Sequence, residues 1–155
     1  MALQVGQPAP DFTLKSNKMQ DVKLSGLRGN KVLLLFVPLA FTGVCTKELC
    51  SMRDSLKDYE GLDCKVFGIS TDSPFALDAW AKEQGYQFPL LSDYNKETAR
   101  SYDTLYEDMM GFKGVCKRSA FVIDREGVVR YASVQADARN IPNFEEIKGC
   151  LKQLS

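Results

Sequence analysis

Histidine is absent from the 155 residues. Its absence excludes a Ser-His-Asp triad, a Cys-His dyad, imidazole-ligated zinc or haem, and an imidazole general base. A surplus of charge is lacking too. Lys plus Arg and Asp plus Glu each number 20, giving a formal net charge of zero. A general electrostatic nucleic-acid binder needs a basic excess or a strongly basic face, so no nucleic-acid partner is expected. The apolar run at residues 32–41 includes Pro38 and begins far from the N-terminus, which fits neither a signal peptide nor a membrane span. No P-loop, dinucleotide glycine motif or C-x-x-C pair occurs, so neither a cofactor nor a metal is expected.

Hydrophobic residues make up 45% of the chain and charged residues 26%, the profile of a folded soluble protein. The length suits one domain over residues 1–155. Five cysteines are present, an odd number that cannot pair completely within the chain. With no N-x-S/T site and no secretory start, this reads as a reducing, cytoplasmic setting. The thiols therefore carry most of the chemical interest.

Residues 5–13 hold two prolines and read as a leading extended segment. A short strand is expected at 22–24 and a doubly buried central strand at 31–37. A helix follows over about 43–59, with Leu49, Met52, Leu56 and Tyr59 on one face and Gly61 as its stop. A strand at 65–70 leads to a helix capped by Ser73-Pro74 and stopped at Gly85, which carries Phe75 and, at core spacing, Leu77, Trp80 and Ala81. A strand at 88–91, a short helix at 95–102 and a strand at 119–123 come next. Asp124-Arg-Glu-Gly127 reads as a hairpin turn into a strand at 128–134. Phe144, Ile147, Leu151 and Leu154 form the apolar stripe of a closing helix. The order predicts an α/β fold with a mixed central sheet flanked by helices.

Cys45 falls at the first turn of the helix that follows the buried strand. Backbone N–H groups there lack intrahelical partners, and the helix dipole adds partial positive charge. Both favour a thiolate. Position alone fits a packed structural cysteine equally well.

The neighbours of Cys45 narrow the choice. Pro38-Leu-Ala-Phe-Thr-Gly-Val-Cys45 contains P-x-x-x-T-x-x-C, which resembles the active-site signature of the peroxiredoxins, the thiol peroxidases. The resemblance runs from residues 5–13 to the hairpin after Asp124. It implies a thioredoxin-like fold with the N-terminal extension of that family, and reduction of hydrogen peroxide and organic hydroperoxides by a Cys45 thiolate. Thr42 would place a hydroxyl beside the sulfur, and Pro38, with no N–H, would wall the pocket against water. Arg118, in Lys117-Arg118-Ser-Ala-Phe-Val-Ile-Asp124, matches the family's arginine from a distant strand, and Glu48 the helix glutamate that orients it. Outside the resemblance, the two would read as ordinary surface charges. A homodimer and a thioredoxin- or glutaredoxin-like reductant are also implied.

Cys45 and Cys50 form C-x-x-x-x-C. In an intact helix five residues leave two side chains about 140° apart with about 7.5 Å of rise, so the thiols diverge. A bridge needs Cα atoms within roughly 7 Å, hence unwinding of the first turn. The spacing is similar to the bacterioferritin-comigratory (Q-type) branch, in which the second cysteine resolves the sulfenic acid. Residues 39–45 look more like the alkyl hydroperoxide reductase E branch, often described as one-cysteine. Cys50 is expected to resolve Cys45. The alternatives are an external resolving thiol, or a peroxide sensor that relays oxidation to a partner protein. A catalytically silent thioredoxin-fold interaction module remains the reading from another class. Cys64 and Cys150 read as packing residues, and Cys116, two before Arg118, as a packing residue or a second candidate resolver. The glycine-bearing loop at 108–114 reads as a pocket frame, a dimer contact or an ordinary loop.

Overall fold

The continuous apolar run after Lys31 builds the centre of the sheet. In the computed structural model, which describes residues 3–154, β3 (Lys31–Phe36) is buried along its whole length. Alternate side chains point to opposite faces, as a strand requires. Leu33 and Leu35 enter one core layer, and Val32, Leu34 and Phe36 the other. β4 (Cys64–Ser70) pairs with β3 in parallel and β6 (Ser119–Ile123) pairs antiparallel. With β1 (Thr13–Ser16), β2 (Asp21–Lys23), β5 (Leu90–Ser92) and β7 (Val129–Val134), they form a seven-stranded mixed sheet in the order β2-β1-β5-β4-β3-β6-β7.

Helices α1 (Gly43–Gly61), α2 (Pro74–Gln84) and α4 (Phe144–Gln153) contribute to the Leu33 layer, through residues such as Leu49, Trp80 and Ile147. The short α3 (Glu97–Ser101) and the leading segment contribute Ala99, Ala9 and Phe12 to the other layer. The architecture is the α/β arrangement expected. Among the described residues, no helix is long and apolar enough to cross a membrane.

Several local signals act as the sequence implies. The Ser73 hydroxyl accepts the Ala76 N–H, and Gly85 ends α2 at φ 71°, a left-handed conformation that suits glycine. Asp124 Oδ1 accepts the Glu126 and Val128 N–H groups across the β6–β7 turn. Other boundaries differ. The expected strand at 22–24 lies one residue earlier, because Leu24 opens a 3-10 turn, Leu24–Leu27. Its partner β1 falls where the leading segment was expected to end; its sequence TLKS has little apolar alternation to announce it. β5 begins after Pro89, whose nitrogen cannot join a ladder. α1 runs through Gly61, and the left-handed residue beyond it is Asp63 at φ 60°. Leu77, Trp80 and Ala81 of α2 are buried, and Phe75 in its first turn is exposed.

Candidate active site

β3 delivers the chain to the sheet edge, and residues 38–42 turn it into α1. Asp72, just past β4, fixes that turn: its Oδ2 accepts the Ala40 N–H at 2.8 Å and the Ser70 hydroxyl at 2.7 Å. Thr42 occupies the N-cap position of α1, but its side chain caps nothing. Its hydroxyl instead donates to the Leu39 carbonyl at 2.7 Å, which commits its proton and leaves oxygen lone pairs to accept.

Cys45, in the first turn of α1, is 1% exposed. Arg118 reaches it from the residue before β6 and is itself 2% exposed. The guanidinium spends its donors in three directions. Nη2 donates to Cys45 Sγ at 3.2 Å, Nη1 to Glu48 Oε1 at 2.9 Å, and Nε to the Ala138 carbonyl at 2.7 Å. Glu48 lies three residues after Cys45, close to one helical turn, so both side chains face Arg118. Glu48 is fully buried, and its Oε2 has no hydrogen-bond partner. Burial pushes its carboxyl up to about 7, against the opposing pull of Arg118. Burial also works against the Arg118 charge, but Cys45 and Glu48 outweigh it and hold the guanidinium above its ordinary value.

A cavity of about 820 Å³ opens onto this assembly. Pro38, Thr42, Val44 and Cys45 line it from the start of α1 and the turn before it, Tyr106, Met109, Met110 and Arg118 from the chain leading into β6, and Ala136 to Arg139 from the segment after β7. A buried sulfur with a cationic donor on one side and a hydroxyl acceptor at the same cavity wall can bind a small polar molecule and accept or donate electrons at sulfur. Among the described residues, no group of three or more Cys, Asp or Glu side chains is gathered as a metal would need.

The AhpC/TSA family model matches residues 5–132. The chain belongs to the AhpC/TSA family. Alkyl hydroperoxide reductase E of Mycobacterium tuberculosis is 42% identical over 136 residues, which span 86% of this chain and 86% of that protein. Peroxiredoxin-2 of Rattus norvegicus is 39% identical over 140 residues, 84% of this chain and 69% of that one. Among solved structures, the peroxidoxin BcpB of Mycobacterium tuberculosis matches with a TM-score of 0.86 at 28% identity, covering 97% of each chain. A peroxiredoxin-like protein of Aquifex aeolicus matches with a TM-score of 0.90 at 26% identity, covering 100% of this chain and 90% of that one. The fold is therefore the thioredoxin-like fold of the peroxiredoxins, and by family the chain is a thiol peroxidase.

The other thiols of this family member separate by environment. Cys50 is half-buried and lies five residues on from Cys45 in α1. Its thiol donates to Gln84 Oε1 at 3.4 Å and lies 3.6 Å from the Tyr86 hydroxyl. α1 is helical through both positions, the geometry that sets side chains five residues apart on different sides. All five cysteines are free. Cys64 is packed at the start of β4, and burial pushes its thiol up to about 12. Cys116 is fully buried in the layer of Leu34, Phe36 and Phe121, on the opposite face of the sheet from the core layer that holds Cys45, and burial raises its thiol well above the ordinary value. That placement removes the idea that Cys116 opens onto the pocket. Its burial fits the packing reading, and nearness in sequence to Arg118 does not bring it among the residues that line the cavity. Cys150 is half-buried and donates to the Arg130 carbonyl at 3.7 Å.

Sequence reasoning missed Asp72, Tyr106 and the segment at 136–139. Ala138 acts through its backbone carbonyl, so no side-chain pattern could reveal it. It did point to the loop at 108–114, whose Asp108, Met109 and Met110 line the cavity.

Proposed function

We propose that Cys45 is the peroxidatic nucleophile and that the protein reduces hydrogen peroxide and organic hydroperoxides. The observation that carries this reading is the 3.2 Å contact from Arg118 Nη2 to a buried Cys45 sulfur at the floor of a cavity. The thiolate attacks one peroxide oxygen, the O–O bond breaks, and the sulfur becomes a sulfenic acid. The departing oxygen leaves as water or alcohol after taking a proton. Thr42, its own proton committed to Leu39, accepts from the peroxide O–H and sets its angle of approach. Arg118 and the free amides of the first turn of α1 receive the charge that develops on the departing oxygen. Pro38 contributes wall without a competing N–H.

Cys50 is the resolving thiol in this reading. Its half-buried position, against the buried Cys64 and Cys116, supports the choice. It condenses with the Cys45 sulfenic acid to give a disulfide and water once the first turn of α1 unwinds. An external dithiol of the thioredoxin or glutaredoxin type then reduces the disulfide. Exposed Phe41, and Met110 and Phe112 in the loop at the cavity rim, are consistent with the homodimer that family resemblance implies. Five free thiols suit a reducing cytoplasm, and one shared sheet suits a single domain over 1–155.

Stopped-flow fluorescence of the single tryptophan, Trp80, during reaction with hydrogen peroxide and with an organic hydroperoxide tests the nucleophile. Oxidation no faster than that of a free thiol would overturn it. Mass spectrometry after one equivalent of peroxide tests the resolver. The wild type should yield a Cys45–Cys50 disulfide and the Cys50→Ser variant a stable Cys45 sulfenic acid. A wild type that stops at the sulfenic acid establishes external resolution instead.

A further inference from the structure

Cys45, Arg118 and Glu48 share one dry site in which a single fixed cation faces two groups that are anionic when ionised. With both ionised, the assembly carries a net negative charge where little water can reach it, the condition a protein interior tolerates least. One proton makes it neutral. Two observations place that proton. Glu48 Oε2 is buried with no donor near it, and an unsatisfied oxygen costs more on a carboxylate than on a neutral carboxyl. Arg118 gives one donor to the Cys45 sulfur and one to Glu48 Oε1, so the second Glu48 oxygen is the atom of the two acids left bare.

The other charges nearby leave this balance intact. Tyr106, from the loop before β6, bears on Arg118 and Cys45, and its hydroxyl donates to the Gln135 carbonyl. Asp137, after β7, is paired with Arg139 at 2.7 Å. Tyr86 packs beside α1, its hydroxyl donating to the Thr46 carbonyl, and burial raises its phenol so that it stays neutral beside Cys45; Leu33 and Leu35 from β3 and Leu77 from α2 complete the layer. Among the described residues, Arg118 is the charged group that bears directly on Glu48, and with its pull included the carboxyl sits at about 7; an ionised Cys45 facing the same guanidinium pushes it higher still.

We propose that the reduced protein stores one proton on Glu48 and releases it when Cys45 is oxidised. This rests on Cys45 being the thiolate that peroxide attacks. In that step sulfur gives up two electrons, an S–O bond replaces the O–O bond, and the departing alkoxide or hydroxide takes one proton. The resulting sulfenic acid is neutral. Arg118 then serves Glu48 alone, the carboxyl ionises, and the proton it loses equals the one the departing oxygen gained. Resolution by a neutral Cys50 thiol releases water and adds no proton to the count. Glu48 is thus a positioning residue for Arg118 that also links protonation to the redox state of the sulfur.

Infrared difference spectroscopy of the wild type, before and after one equivalent of hydrogen peroxide and just above the Glu48 value of about 7, reads the proton directly. Loss of a protonated-carboxyl stretch on oxidation is expected, assigned by isotopic labelling of the glutamate carboxyl carbons. A pH indicator in the stopped flow should show no net proton uptake per Cys45 oxidised in the wild type and uptake of one in Glu48→Gln. Oxidation of Cys45, seen by mass, with the carboxyl stretch unchanged overturns the proton linkage and leaves the peroxidase reading standing. Failure of Cys45 to oxidise overturns both.

Discussion

Replacing Glu48 by glutamine should change how stability depends on pH, in a direction fixed by the site. Burial holds the Glu48 carboxyl at about 7 in the folded chain, against an ordinary 4.5. At about 1.4 kcal/mol per pH unit, this displacement corresponds to about 3 kcal/mol. Between the two values the folded chain keeps a proton that the unfolded chain has released. The stability this group confers is therefore greatest below 4.5 and is lost as pH rises through about 7. Glutamine cannot ionise, yet it retains an oxygen to accept from Arg118 Nη1. Urea unfolding of both reduced proteins should show the variant gaining about 2–3 kcal/mol relative to the wild type between about pH 5 and about pH 8. Any constant difference between a carboxylate and an amide opposite Arg118 drops out of that comparison. Parallel pH profiles, or a wild type that gains on the variant as pH rises, would refute the assignment.

Other perturbations probe the same framework. Arg118→Met removes the donor 3.2 Å from Cys45 Sγ, and oxidation by peroxide at fixed pH should slow about 10²–10³-fold by stopped flow, the usual effect of losing one fixed donor; a loss below about tenfold would sink that role. Thr46→Val strands the buried Trp80 Nε1, which donates to Thr46 Oγ1 at 3.2 Å, and should lower unfolding free energy by about 1–3 kcal/mol. By loosening the first turn of α1, it should also raise the ratio of disulfide to sulfenic acid measured by mass. Gly68→Ala places a Cβ 2.7 Å from Leu90 Cδ2, between two central strands, and should cost about 1–3 kcal/mol in urea unfolding; an unchanged midpoint would show that the sheet yields there.

The central part of the fold was legible because burial writes plainly into sequence. The run after Lys31 can only be a strand covered on both faces, and Ser73-Pro74 with Gly85 brackets α2 by cap chemistry. β1 was not legible: its register is set by partners, Lys23 to Asp21 on one side and Ser92 and Leu91 on the other, not by its own pattern. Within the site, Cys45, Thr42, Pro38, Arg118 and Glu48 were named from the motif, and the geometry brings all five to one cavity or its buried floor. Cys116 is buried as its packing reading expects; its alternative as a second resolver rested on nearness in sequence to Arg118, which does not carry it to the core layer of Cys45. The Ala138 carbonyl and the Asp72 carboxylate escaped notice because each acts through a contact made only after distant segments meet.

The Asp72 contact has a mechanical consequence. Ala40 is latched to the end of β4 through that carboxylate, and Leu49 and Met52 are embedded in the core. Any uncoiling that brings Cys50 toward Cys45 is bracketed by these two anchors. The slack is confined to about one and a half turns of helix, while Pro38 stays clamped behind the latch. If Cys45 and Cys50 join as proposed, such a bracketed segment rewinds against an unmoved template, and the cavity at Cys45 regains its starting shape.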